Sequence, residues 1–273
     1  MSQLALLPTW EPVQRPAVRH FGSKWKIARA ISRAFPSHRT YTEVFAGSAS
    51  VLLRKIPAER EVISDLNGGT INFFRVLQTQ PSALIDALQR TPKNRNEFYG
   101  CFESHPDPLE WARRYACLGW GGYIGAGGRW SGGCSEERLA RLRAMNFEFL
   151  RGVSLRLRDT VIQQGEALAA LGQYDAPDTL HYVDPPYPKE ARASRDNRCQ
   201  DSAPRRQYAH EMLDASLHEA LAERLHSLQG RVVLSGRDCP LYEQLFGDWR
   251  KITFPVRDSS RKAANEVIWM NFE

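Results

Sequence analysis

The run His181-Tyr182-Val183-Asp184-Pro185-Pro186-Tyr187-Pro188 restricts this chain more than any other stretch. Thr179 to Val183 is β-favouring, and proline cannot donate to a strand ladder, so the strand has to end near Asp184. A residue before proline is held extended, and each proline fixes its own φ near about −65°. The corner is therefore stiff before any ligand arrives. It can hold the Asp184 carboxylate and the Pro185 carbonyl side by side as acceptors, with the ring of Tyr187 beneath them. The exocyclic amino group of a nucleobase requires this: acceptors for its N–H bonds and a ring to stack on. The same letters also fit an ordinary proline-rich turn in which Asp184 caps and Tyr187 packs.

Ahead of that corner, Arg19-His20-Phe21-Gly22-Ser23-Lys24-Trp25 predicts a helix capped by Ser23 and ended at Phe35 by Pro36. Lys24 in its first turn opposes the helix dipole, which an anionic partner such as a ligand carboxylate relieves; a solvated lysine is the alternative. Thr40 to Phe45 reads as a strand, followed by the small-residue turn Ala46 to Ser50 and a helix from Val51 to Lys55. Strand, small turn and helix open a nucleotide-binding α/β unit, although a close helix–strand contact explains them equally. The next strand, Glu61 to Ser64, ends in Asp65, about twenty residues on, where an acid grips a ribose diol. There is no G-x-G-x-x-G and no Walker lysine, which argues against a dinucleotide or a triphosphate. A nucleoside without phosphates fits better. S-adenosylmethionine is one: its ribose meets Asp65, its carboxylate Lys24, and its sulfonium lies near Glu43 and Asp184.

Helical patterns follow at Asn67 to Leu77 and Pro81 to Leu88, and then strand signals stop from Thr91 to Asp159. That segment carries helical stretches near Asn94 to Glu103, Leu109 to Leu118 and Glu136 to Arg158. Between them runs a glycine-rich loop in which Tyr123, Arg129 and Trp130 are interleaved, the composition of a loop that reads nucleic acid or of a surface loop with buried tryptophans. Strand and helix signals then alternate to the end of the sequence. We expect an α/β domain of residues 1–90 and 160–273 with a largely parallel sheet covered on both faces, interrupted by a helical insertion at 91–159. Lys189 to Gln207 is polar and carries Arg192, Arg195 and Arg198, which suits a segment ordered by a phosphate backbone or a solvated loop.

The 273 residues carry a net charge of +6, and most of the basic groups are arginine, which favours a polyanionic partner. The five cysteines are scattered without ligand spacing and read as free thiols of a reducing, cytoplasmic compartment, with no metal site. Met1 to Pro16 is too poor in apolar residues for a signal peptide, and nothing approaches the roughly eighteen that a membrane span needs.

Taken in order, these parts resemble the Dam-like (D12) class of DNA adenine-N6 methyltransferases nearly end to end. Phe21-Gly22-Ser23-Lys24 resembles that family's N-terminal cofactor motif, Glu43 to Ser50 its glycine-rich first motif, Ser64-Asp65-Leu66-Asn67 its ribose motif and Asp184-Pro185-Pro186-Tyr187 its catalytic turn. Val233-Leu234-Ser235-Gly236 and Asn265 to Asn271 resemble later elements. The resemblance implies a Rossmann-like methyltransferase sheet with a mainly helical target-recognition insertion, S-adenosylmethionine as cofactor, and double-stranded DNA as partner of a monomer or homodimer. It implies catalytic roles for Asp184, Pro185, Pro186 and Tyr187, and cofactor contacts from His20, Lys24, Glu43, Phe45, Gly47, Asp65, Glu166 and Asp184. It also implies DNA contacts from Tyr123, Arg129, Trp130, Arg192, Arg195 and Arg198. His20, Ser48, Ala49 and Glu166 depart from the family's usual residues. Amino-methylation of RNA or of cytosine N4, and a non-catalytic DNA-binding regulator, are the competing readings.

Overall fold

The computed structural model describes residues 13–122, 130–131, 135–191, 210–257 and 263–273. Seven strands form one sheet in the order β3-β2-β1-β4-β5-β7-β6. They are β1 (Thr40–Glu43), β2 (Arg60–Asp65), β3 (Val161–Gln164), β4 (Thr179–Val183), β5 (Arg231–Gly236), β6 (Arg250–Arg257) and β7 (Ala263–Met270). The first five are parallel, and β7 runs antiparallel between β5 and β6. Every residue of β4 is buried, as a parallel strand covered on both faces must be, whereas β6 at the edge alternates.

The strand faces sort the core into two layers. Val233 of β5 packs in one hydrophobic cluster, and its neighbours Val232 and Leu234 in the other, because successive side chains leave opposite faces. The first layer holds α1 (Ala28–Ser32), α2 (Ser50–Arg54), α3 (Gly68–Thr79) and α4 (Pro81–Arg90). Residues 91–159 contribute α5 (Arg95–Gly100), α6 (Pro108–Gly121), α7 (Glu136–Arg143) and α8 (Leu150–Leu157). The second layer holds α9 (Ala167–Gln173), α10 (Ala215–His226) and α11 (Pro240–Phe246). Tyr115 and Ala116 of α6 and Val153 and Leu157 of α8 share one cluster with Tyr41 and Ile63 of the sheet. The helical stretch is thus built onto the sheet's core. Among the described residues of 91–159 the only pairing is an isolated bridge between Gly122 and Trp130.

Two expectations need correction. The helix predicted from Ser23 to Phe35 shrinks to α1, because the Ser23 hydroxyl bonds Ser50 and Ser48 instead of capping, and the Lys24 side chain is drawn to Asp184. The helix predicted from Glu136 to Arg158 is two helices. Asn146 accepts from the Glu148 N–H at 2.9 Å, a local bond that competes with helix continuation, and Phe147 turns into the core.

The order of strands places the site. From β1 the chain moves outward to β2 and β3, then returns to β4 on the other side of β1, so that Glu43 sits opposite Tyr182. Where strand order reverses in this way, the carboxyl ends of the two neighbouring strands open a crevice that loops do not fill.

Candidate active site

A cavity of about 330 Å³ occupies that crevice. Every segment singled out near the cofactor motifs contributes to it: His20 and Lys24 before α1, Glu43, Phe45 and Gly47 at the end of β1, Asp65 after β2, Glu166 before α9, and Asp184 and Pro186 after β4. Pro185 and Tyr187 stand outside its lining. Its wall is acidic, with Glu43, Asp65, Glu166, Asp184 and Glu211 against the single ammonium of Lys24, although the chain as a whole carries +6. Such a wall repels phosphates and favours a cation.

Asp65 organises the floor. One of its oxygens accepts the Gly47 N–H at 2.9 Å and the other the Asn67 N–H at 2.8 Å. Each keeps a lone pair for a further donor. Gly47 has φ +46°, a left-handed backbone that suits glycine, and a Cβ there would lie 3.4 Å from the His20 ring, in ordinary contact. Ala49 adopts the same left-handed region at φ 48°, which costs an alanine on the order of 1–2 kcal/mol. Its methyl is fully buried against the core. Ser23, Ser48 and Ser50 close a triangle of hydroxyls at 2.8 to 3.0 Å on the adjoining wall.

Glu43 is 3 % exposed, and one of its oxygens accepts both the Leu52 N–H and the Tyr41 hydroxyl. Burial, against the pull of those two bonds and with the neighbouring Asp184 charge adding, pushes its carboxyl up to about 8. A carboxyl raised in the folded state favours folding below its unfolded value near 4.5, and that contribution is lost as pH climbs through about 8. Glu43→Gln keeps an acceptor without the charge. It is expected to flatten the fall in unfolding free energy between about pH 4.5 and about pH 8, by a few kcal/mol relative to the parent, in urea titrations; an unaltered profile contradicts the assignment.

Lys24 is the centre of the opposite wall. Its ammonium, 5 % exposed, donates to both oxygens of Asp184 at 2.7 Å and to the Gly22 carbonyl at 3.0 Å, and lies 3.4 Å from Glu266. Burial alone lowers an ammonium, but Asp184 and Glu266 outweigh it and hold Lys24 charged well above its ordinary value. Burial, with Glu266 adding and Lys24 opposing, raises Asp184 to about 6. The same ammonium sits 5.1 Å from the centre of the Tyr187 ring, and the Tyr187 hydroxyl donates to Glu266. One face of the Tyr187 ring is therefore occupied by Lys24, and the residue is 9 % exposed.

Residues 20–117 match the model of the D12 class N6 adenine-specific DNA methyltransferase family. Over that stretch the chain is D12-like. Two DNA adenine methylases of Vibrio cholerae serotype O1, from strain ATCC 39541 (Classical Ogawa 395) and strain ATCC 39315 (El Tor Inaba N16961), are each 35 % identical over 89 residues. That alignment covers 32 % of this chain and 32 % of each relative, so the chain spans about a third of the length of the curated relatives it matches. The D12-like stretch contains Lys24, Glu43 and Asp65 and ends before Asp184. What joins Asp184 to it is geometry: the shared cavity and the 2.7 Å contact with Lys24.

Glu166 is exposed at the rim, and Phe45 is half-buried. Trp130 is half-buried with its ring 5.5 Å from that of Phe98, so it packs at the base of the glycine-rich loop. Tyr123, Arg129, Arg192, Arg195 and Arg198 lie outside the described residues. Sequence reasoning gave no role to Tyr182, to the serine triangle, or to Met212 and Leu217, which complete the cavity. It also gave none to Glu266, although an acid in the apolar run Glu266 to Met270 signals a buried charge with a partner.

Proposed function

We propose that this chain transfers a methyl group from S-adenosylmethionine to N6 of an adenine in double-stranded DNA. The observation that carries the reading is that Asp184 opens onto the same acidic cavity as Lys24, Glu43 and Asp65. The residues present fit the cofactor: a volume within the usual range for small-molecule sites, an acid at the ribose position, carboxylates for a cation, and no cluster of basic groups for phosphates among the lining residues. Bound there, S-adenosylmethionine supplies an electrophilic methyl group on a sulfonium.

In this reading Asp65 accepts from the ribose hydroxyls, the Asp184 carboxylate favours the positive charge, Glu43 lines the wall beside it as a largely protonated carboxyl near neutral pH, and Gly47 and His20 form the cradle along which the ligand lies. Phe45 and Glu166 border the adenine end. Adenine N6 is a poor nucleophile because its lone pair is delocalised into the ring. The Asp184 carboxylate and the Pro185 carbonyl accept its two N–H bonds once the base has left the duplex, which directs the lone pair toward the methyl carbon. Pro185 and Pro186 hold that corner rigid, so the acceptors do not reorganise during transfer. Both oxygens of Asp184 accept from Lys24, so the amino group of an incoming base competes with that ammonium for the carboxylate.

The strand order supports a Rossmann-like methyltransferase sheet formed by residues 1–90 and 160–273, with 91–159 as the target-recognition insertion. Tyr123, Arg129 and Trp130 in that insertion, and Arg192, Arg195 and Arg198 beside the catalytic corner, are the proposed DNA contacts of a cytoplasmic monomer or homodimer. Parallel incubations of duplex DNA and of RNA with methyl-labelled S-adenosylmethionine are expected to put label in the DNA; label confined to the RNA, or absent from both, contradicts the reading. Asp65→Asn leaves an acceptor for one backbone N–H but removes the charge. Calorimetry is expected to show cofactor affinity weakened about 10- to 100-fold with the enzyme still folded, and equal affinity refutes the ribose role.

A further inference from the structure

Glu266 lies on β7, the antiparallel strand added beside β5, far in sequence from Lys24 and from the Asp184 corner. It is 7 % exposed, accepts from the Tyr187 hydroxyl, and stands 3.4 Å from the Lys24 ammonium. One buried ammonium is thus held between two carboxylates, Asp184 at 2.7 Å and Glu266 at 3.4 Å. A buried charge left without a partner is far more costly than one that changes partner. Released from Asp184, Lys24 meets Glu266 at ordinary ion-pair length after moving by well under about 1 Å.

We infer that Glu266 is a positioning residue: the standing counter-ion of Lys24, which keeps that ammonium paired while Asp184 turns its oxygens to the amino group of an incoming base, and which anchors Tyr187 by its hydroxyl. The inference rests on the assignment of Asp184 as the amino-group acceptor. The groups that face Glu266 are Lys24 from the segment before α1 and Asp184 and Tyr187 from the corner after β4, and the Asp184 charge in turn acts on Glu43 of β1. A negative charge at 266 favours the protonated form of Asp184, and removing it does the reverse.

The variants are Glu266→Gln, which keeps an acceptor for Tyr187 but removes the charge, and Glu266→Asp, which restores the charge on a shorter stem. In Glu266→Gln the ammonium has only Asp184 as counter-ion. The value of kcat/KM for DNA is expected to fall about 10- to 100-fold, the acid limb of its pH profile to move to lower pH, and Glu266→Asp to recover most of the loss. Wild-type kcat/KM with an unmoved acid limb in Glu266→Gln overturns the inference. So does an equal loss in both variants with a lowered melting temperature, the mark of a merely structural acid. A second readout needs no substrate: carbon-13 NMR titration of the Asp184 carboxyl, expected near 6 in the parent and lower in Glu266→Gln. If the parent transfers no methyl group, the functional reading fails while this titration still decides the role of Glu266; an unchanged midpoint refutes it.

Discussion

Replacing Asp184 by asparagine is expected to reduce methyl transfer by at least about 10²- to 10³-fold, the loss typical when a preorganised group at a reacting centre is removed. Asparagine preserves the shape of the corner and one acceptor oxygen. It turns the other oxygen into an N–H₂ donor aimed where the base's own amino group has to donate, so two donors meet. Asparagine is also the better control for folding than alanine, since Asp184 is the nearest partner of a buried ammonium and truncation removes both acceptors. The enzyme is expected to remain folded, with Lys24 retained by Glu266. Single-turnover assays separate this loss from cofactor binding, which is expected to change little by comparison. Activity within about twofold of the parent removes Asp184 from the mechanism.

The second large effect is on stability. Lys24→Met removes the ammonium that lies between Asp184 and Glu266 and leaves two buried carboxylates facing each other, a change expected to cost about 3–5 kcal/mol near neutral pH. The sign with pH follows from Asp184. Its carboxyl is already raised to about 6, burial being opposed by Lys24. Without that opposition it titrates higher still, so the variant is expected to regain stability as pH falls and its carboxyl takes up a proton. Urea titrations of both proteins across the range from about pH 5 to about pH 8 measure this. A deficit independent of pH contradicts the network; no deficit at all means that the ammonium is not an internal counter-ion.

The fold was legible where local chemistry and tertiary structure agree. Pro81, Pro108 and Pro240 open α4, α6 and α11, and the Asn67 side chain accepts from Gly69 and Thr70 to start α3. The strand before Asp184 ends at Val183, where the prolines require it to stop. Boundaries failed where a side chain is used at long range. Ser23 is an acceptable N-cap by its letters, but its hydroxyl is taken by Ser50, 27 residues away, and Lys24 is taken by Asp184, 160 residues away. No local pattern carries such distances.

The same division runs through the site. Asp65, Gly47 and the Asp184 corner are short motifs whose spacing has a geometric reason, and all three reach the cavity. The ion-paired state of Lys24 is different. A ligand carboxylate and a protein carboxylate satisfy an ammonium equally, so the sequence could name the need for an anion without naming which. Glu266 was visible as an acid on an apolar strand, but its partners come from two other regions of the chain. Met212 and Leu217 line the cavity because α10 and the residues just before it pack in the same layer as Val183 of β4, a tertiary contact rather than a motif.

The central claim is that Asp184 binds the amino group of an adenine beside a methyl donor. Digesting duplex DNA treated with the protein and S-adenosylmethionine to nucleosides, and weighing the products by mass spectrometry, tests it most directly. The account predicts N6-methyldeoxyadenosine from the parent protein and its near-complete loss with Asp184→Asn. N4-methyldeoxycytidine in its place, or N6-methyldeoxyadenosine at parental levels from the variant, contradicts it.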